Sequence, residues 1–171
     1  MIVGNLLALV QQNIKRMLAY SSIAHMGYLS VAFLSGGART HEAVAVYLVA
    51  YAAATLGAFG VITAMSAAHP AGREAERMGD YRGLFWTDPL AALVLSISLL
   101  SMAGIPLTAG FLGKFYVLAA GAQTPYWWLL VVLALTSAVG AWYYLRLIVH
   151  MTSRDDGFGE DGNTAARRVL P

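Results

Sequence analysis

The sequence predicts an all-α protein, a polytopic transmembrane helix bundle in which one helix is discontinuous. Three observations carry that expectation. Of 171 residues, 58% are hydrophobic and only 12% charged, against roughly a quarter charged in an ordinary soluble domain. Apolar stretches of about 20 residues recur, the length needed to cross a hydrocarbon core of ~30 Å. The apolar stretch 90–122 is interrupted by Gly104-Ile105-Pro106 and then carries Lys114 between Gly113 and Phe115. Helical throughout, it would span roughly 50 Å. Either it tilts or it breaks at Pro106, which lacks an amide hydrogen and whose ring would meet the carbonyl of Met102. A broken helix and a lone lysine are both costly in lipid, and together they mark a candidate functional site.

The bulk numbers exclude several classes. A net charge of +2 is too small to argue for nucleic acid. With no cysteine there is neither a disulfide framework nor a Cys-ligated iron–sulfur cluster. His25, His41, His69 and His150 lack metal-ligand spacing, so no metal site is expected. No nucleotide-binding glycine fingerprint, flavin site or recognisable quinone pocket is present, and no cofactor is expected on this chain. The N-terminus has no basic region or cleavage site of a secretory signal. Residues 1–10 instead read as the end of a spanning helix, which predicts a fragment of a longer protein.

A polar turn, Gln11 to Arg16, leads to a first complete span at 17–35 with an unusually polar interior. Ser21, His25 and Tyr28 stand at i, i+4 and i+7, one helical face. That face should point into the bundle or a hydrated cavity, with Ser22, Tyr20 and Ser30 adding hydroxyls. Helix–helix hydrogen bonding is the competing explanation for the hydroxyls; His25, which titrates near neutrality, leans towards function. A turn with Gly36-Gly37 and Arg39 precedes the span 43–66. There Tyr47, Tyr51 and Thr55 share a face, and Ala54, Gly57 and Gly60 permit close helix approach, so packing suffices as an explanation.

The polar stretch 67–88, with His69, Arg73, Glu74, Glu76, Arg77, Asp80, Arg82 and Asp88, reads as a solvated loop. Gly83-Leu84-Phe85-Trp86 within it reads as a short interfacial anchor. The broken span 90–122 follows, then a turn at Gln123-Thr124-Pro125 and the span 126–150. Tyr126-Trp127-Trp128 and Trp142-Tyr143-Tyr144 would lie roughly 24 Å apart in a helix, as two interfacial belts do, with Arg146 snorkelling beyond the second. Residues 1–150 thus form a membrane domain. Residues 151–171 have no hydrophobic period and read as a flexible tail.

Connections alternate between two sides. Lys15, Arg16, Arg73, Arg77, Arg82, Arg154, Arg167 and Arg168 fall on one side and Arg39 on the other, eight basic residues against one. This asymmetry makes the first side, and the tail, cytoplasmic, and it favours counting 90–122 as a single crossing.

Two runs carry a family resemblance that covers nearly the whole chain up to about Met151. Asn13-Ile14-Lys15-Arg16-Met17-Leu18-Ala19-Tyr20-Ser21-Ser22-Ile23-Ala24-His25-Met26-Gly27-Tyr28 resembles the NIKRxLAYSSIxHxGY run of the antiporter-like subunits of respiratory complex I, the NADH-quinone oxidoreductase. The run from Ala103 to Tyr116, AGIPLTAGFLGKFY, resembles their second broken helix. Its wording, with Tyr81-Arg82-Gly83-Leu84-Phe85-Trp86, is most similar to the subunit N branch of that family.

The resemblance implies a proton-translocating bundle built on two inverted repeats, each with a broken helix, driven by quinone reduction elsewhere in the complex. The chain would cover the end of the ninth helix through the thirteenth, a C-terminal fragment without the first repeat. Lys114 matches the lysine of the broken twelfth helix, Lys15 the lysine opening the tenth, and His25 a histidine within the tenth. The expected proton path is Lys114, His25, Lys15, Ser21, Ser22 and Tyr28, with Gly104, Pro106, Gly110 and Gly113 shaping the break. A snorkelling anchor is the other reading of Lys114, and topogenic charge that of Lys15. NADH, flavin, iron–sulfur clusters and quinone would be handled by partner subunits in a bacterial inner membrane. The partners expected are those membrane subunits, lipids and protons, with no nucleic acid. The alternatives are a subunit of a multi-subunit sodium/proton antiporter and a truncated membrane piece without transport.

Overall fold

A computed structural model describes residues 1–36, 40–68, 74–122 and 125–153. The turn residues Gly37 and Arg39, the loop residues His69 and Arg73, Gln123-Thr124 and the tail from Arg154 onward lie outside the described residues. Among the described residues seven helices follow in order: α1 Ile2–Leu9, α2 Ile14–Ser35, α3 Thr40–Ala68, α4 Leu84–Thr87, α5 Pro89–Ala103, α6 Ala109–Gly121 and α7 Trp127–Thr152, with a 3-10 turn at Met78–Tyr81. Three of them, α2, α3 and α7, are long and apolar enough to cross a membrane; α5 and α6 are shorter apolar helices. The fold is the discontinuous helix bundle anticipated from the sequence.

Local chemistry sets the helix ends. Asn13 opens α2 by accepting the Arg16 amide, and Gly36 closes it in the left-handed region at φ 59°. Asp88 caps α5 through the Ala91 amide, with Pro89 where a missing amide hydrogen costs nothing. Packing then arranges the helices. α3 lies along both halves of the broken segment, and α1 is held against α2 and α7. Arg146 does not snorkel outward as expected. It donates to the carbonyls of Leu9 at 3.3 Å and Gln11 at 3.2 Å, placing a cation at the negative end of α1. The indole of Trp86 donates to the Thr152 carbonyl at 3.2 Å, tying α4 to the end of α7.

The loop after α3 is clamped to the α1–α2 turn. The Ile14 amide donates to the Glu76 carbonyl at 2.7 Å and the Met78 amide to the Gln12 carbonyl at 3.0 Å. Asn13 Nδ2 reaches Glu76 Oε2 at 2.6 Å, and Lys15 pairs with Glu74 while lying 3.7 Å from Glu76. Lys15 beside it holds the Glu74 carboxyl below the usual carboxylate range. A depressed carboxylate stabilises the fold above its unfolded pKa of about 4.3, and that contribution is lost as pH falls through the lower folded value. The pair is exposed and screened by salt, so it is weak. Glu74→Gln should therefore lower the melting temperature slightly at neutral pH and low salt, with variant and parent converging below about pH 4. A gap that persisted in acid would count against this account.

Candidate functional site

The break is built by specific residues. Gly104 follows α5 at φ 78°, and its amide is shared between the carbonyls of Leu100 and Ser101, at 3.0 Å each. The Ile105 amide turns back to Leu100 O at 3.2 Å. Pro106 lies in the linker, and Leu107 next to it holds a left-handed φ of 78°. Thr108 then caps α6 by accepting the Phe111 amide at 3.3 Å. This wrap leaves the carbonyls of Met102 and Ala103 without helical donors, and because α5 ends at Ala103, Pro106 is not a helix-interior residue and the clash expected at Met102 does not arise; both carbonyls take another partner.

That partner is Lys114. Its Nζ donates to Ala103 O at 2.8 Å, to Met102 O at 3.0 Å and to Ser137 Oγ on α7 at 2.8 Å. All three ammonium hydrogens are placed, two of them on the negative end of the α5 dipole. The lysine is only 7% exposed, with its Nζ 5.4 Å from the centroid of the Tyr28 ring. Among the described residues, no carboxylate forms an ion pair with it. A Cβ at Gly104 would stand 2.7 Å from Lys114 Cδ, so the glycine supplies both the turn and the room.

A second set of buried groups adjoins it. His25 Nδ1 lies 2.7 Å from the Tyr47 hydroxyl, and Nε2 lies 3.4 Å from the Tyr144 hydroxyl. The Tyr144 hydroxyl also bonds to Ser21 Oγ. Tyr51 stacks on the imidazole with centroids 4.6 Å apart. Ser21, Tyr144, His25 and Tyr47 thus form one hydrogen-bonded string across α2, α7 and α3. Between this string and the lysine, His25, Tyr47, Ser101, Gly110 and Lys114 border a gap about the size one water needs. Hydroxyls, an imidazole and an amine in such a row can each accept and release a proton.

Lys114, His25, Ser21 and Tyr28, picked out in the sequence, are therefore brought together. Ser22 and Lys15 are not. Ser22 Oγ donates to Ala19 O of its own helix at 2.7 Å, and Lys15 is engaged with Glu74 and Glu76 on the loop. Gly113 allows α3 to approach α6, since a Cβ there would meet Tyr47 Cα at 3.0 Å. Two readings need correction. Tyr143 and Tyr144 are not part of an interfacial belt: each is 1% exposed, whereas Trp142 is 67% exposed. Consecutive helical residues differ by about 100° in direction, so one aromatic run serves both surface and interior. Tyr47 is likewise more than packing, being hydrogen-bonded to His25. Asn5 and Ser137 went unnoticed; the signal for Asn5 was a carboxamide inside an apolar half-span.

Comparison with known proteins places this geometry. Residues 1–140 match the family described as NADH:quinone oxidoreductase/Mrp antiporter, transmembrane. The NADH-quinone oxidoreductase subunit N of Ectopseudomonas mendocina is 55% identical over 152 residues, which are 89% of this chain and 31% of that protein. Subunit N of Chromohalobacter salexigens is 49% identical over 157 residues, 92% of this chain and 33% of that protein. The chain thus spans about a third of the length of these relatives. Among solved structures, a chain of respiratory complex I from Thermus thermophilus with bound aureothin aligns with TM-score 0.76 and 40% identity, covering 90% of this chain and 34% of that one. A chain of the membrane-bound sulfane sulfur reductase, an archaeal respiratory membrane complex, aligns with TM-score 0.77 and 28% identity, covering 95% and 33%. With more than half its length matched by the family and its fold shared with these chains, the protein belongs to the NADH:quinone oxidoreductase/Mrp antiporter transmembrane family.

Proposed function

We propose that this chain supplies part of a transmembrane proton path in a proton-pumping NADH-quinone oxidoreductase, coupled to quinone reduction in partner subunits. The observation that carries the reading is Lys114, buried at a helix break with its hydrogens on two helix-terminal carbonyls and a serine. Relatives named subunit N at 49% and 55% identity favour this over an antiporter subunit. In this reading protons pass along Ser21, Tyr144, His25 and Tyr47, cross the small gap through a water, and reach Lys114. The chain itself is a non-redox subunit. NADH, flavin, iron–sulfur clusters and quinone belong to partners, and the complex sits in a bacterial inner membrane. The excess of basic residues on one side supports a cytoplasmic tail.

The test uses inverted membrane vesicles from cells whose NADH-quinone oxidoreductase carries this sequence. Lys114→Ala should cut proton translocation per assembled complex by about tenfold or more. Pumping at the parental rate would sink the reading. Lys15→Ala should change it far less, because Lys15 faces the loop carboxylates.

A further inference from the structure

One buried polar group is used by nothing described so far. Asn5 is 1% exposed, on a helix that is otherwise apolar. Its Oδ1 accepts the Tyr143 hydroxyl at 3.0 Å, and its Nδ2 donates to the Tyr28 hydroxyl at 2.9 Å and to Met1 O at 3.1 Å. Both amide hydrogens and the carbonyl oxygen are thereby engaged, and an inverted amide would set its oxygen against the Met1 carbonyl, acceptor against acceptor. One glycine makes room for this arrangement: a Cβ at Gly4 would lie 2.8 Å from Tyr20 O, so its absence lets α1 press against α2. On the far side Gly140 of α7 adjoins the bridge, its Cβ position 3.4 Å from Asn5 Oδ1 and 3.5 Å from the Tyr143 hydroxyl, an ordinary contact.

The Tyr28 ring whose hydroxyl Asn5 holds is the ring that faces the Lys114 ammonium at 5.4 Å. With Asn5 donating to its oxygen, the Tyr28 ring is held at its hydroxyl end by α1 while its face meets the lysine of α6.

The geometry points to Asn5 as a positioning residue for the proton site: from α1 it fixes Tyr28 against Lys114 and connects that ring to Tyr143 on α7. The inference rests on the proton-path reading above. A carboxamide both donates and accepts but does not release a proton readily, so Asn5 orders two tyrosines without carrying protons between them.

The experiment measures proton translocation per assembled complex in the same vesicles, between about pH 5 and 9 where a buried carboxyl titrates. Asn5→Leu keeps the size and removes every polar contact; it should lower pumping about threefold to tenfold, the worth of one or two hydrogen bonds. Asn5→Asp has the same shape and discriminates a positioning role from a packing one. Protonated, its hydroxyl donates to Tyr28 while its carbonyl accepts from Tyr143. Ionised, it is an acceptor only: it is set against the Met1 carbonyl, and Tyr28 can stay on it only by reversing its hydroxyl to donate. The ratio of Asp-variant to parental pumping should therefore approach one at low pH and fall as pH rises. Parental pumping in Asn5→Leu would overturn the inference, as would equal losses in both variants at every pH, which would mark a packing role. Lys114→Ala run in parallel separates the two proposals. If it pumps normally the proton-path reading fails; if it does not, and Asn5→Leu does, only the role of Asn5 fails.

Discussion

Replacing Gly110 with alanine should prevent the broken segment from closing. Gly110 lies in the first turn of α6, where that helix crosses the last turn of α5. A Cβ there would stand 1.8 Å from Ser101 O and 2.7 Å from its carbonyl carbon. These are backbone atoms, and Ser101 O is already bound to the Gly104 amide. The Gly110 amide itself donates to Ser101 Oγ at 3.1 Å. Nothing flexible can yield, so α5 and α6 must separate, and the carbonyl pair that holds Lys114 goes with them. The expected cost is about 3 kcal/mol, the upper end for overpacking. It should be read as little assembled protein in the membrane and a lowered melting temperature in detergent. A Gly110→Ala variant that melts with the parent would show that the crossing is looser than drawn. Gly60, with nothing within 4 Å of its Cβ position, is the natural control.

The second large effect is expected from Tyr144→Phe, and it should fall on transport rather than on assembly. The Tyr144 ring is 1% exposed and packed beside Tyr143, with centroids 4.5 Å apart. Phenylalanine keeps that ring. What goes is one oxygen, the atom that joins Ser21 to His25 Nε2 and touches Met102 Sδ at 3.5 Å. Losing a buried hydrogen bond costs stability about 1 kcal/mol. Losing the only described link between Ser21 and the imidazole interrupts the row of proton carriers, so pumping should fall about tenfold or more. Assembled complex that pumps at the parental rate would remove Tyr144 from the path and leave His25 supplied from elsewhere.

The helices and the break were legible because their causes are local. Length and apolarity specify α2, α3 and α7, and Gly104 with Pro106 ends one half of the broken span. Lys114 and His25 were legible for a related reason: an ionisable group inside an apolar run has no cheap place except an interior site. What sequence could not give was direction. α3, α5 and α7 are apolar nearly all the way round, so no stripe marks the inner face. That is why Tyr143 and Tyr144 were grouped with Trp142, and why Tyr47 was assigned to packing although it holds His25. Lys15 was matched by motif, yet its surroundings are set by Glu74 and Glu76, about 60 residues away along the chain. Asn5 depends on α1 meeting α7, a pairing of residues 138 positions apart that no local pattern encodes.

The socket around Lys114 has a further property that follows from counting. An ammonium brings three hydrogens to three acceptors, Met102 O, Ala103 O and Ser137 Oγ, and the set is complete. A neutral amine brings two and a lone pair, which, of the three partners, only the Ser137 hydroxyl can turn round to meet as a donor. Were the proton to leave Lys114, its two remaining hydrogens would suit the α5 carbonyls, and the contact to α7 would either reverse or open. In the proton-path reading the lysine is therefore a pin through three helices whose α5 end stays set while its α7 end changes with its charge.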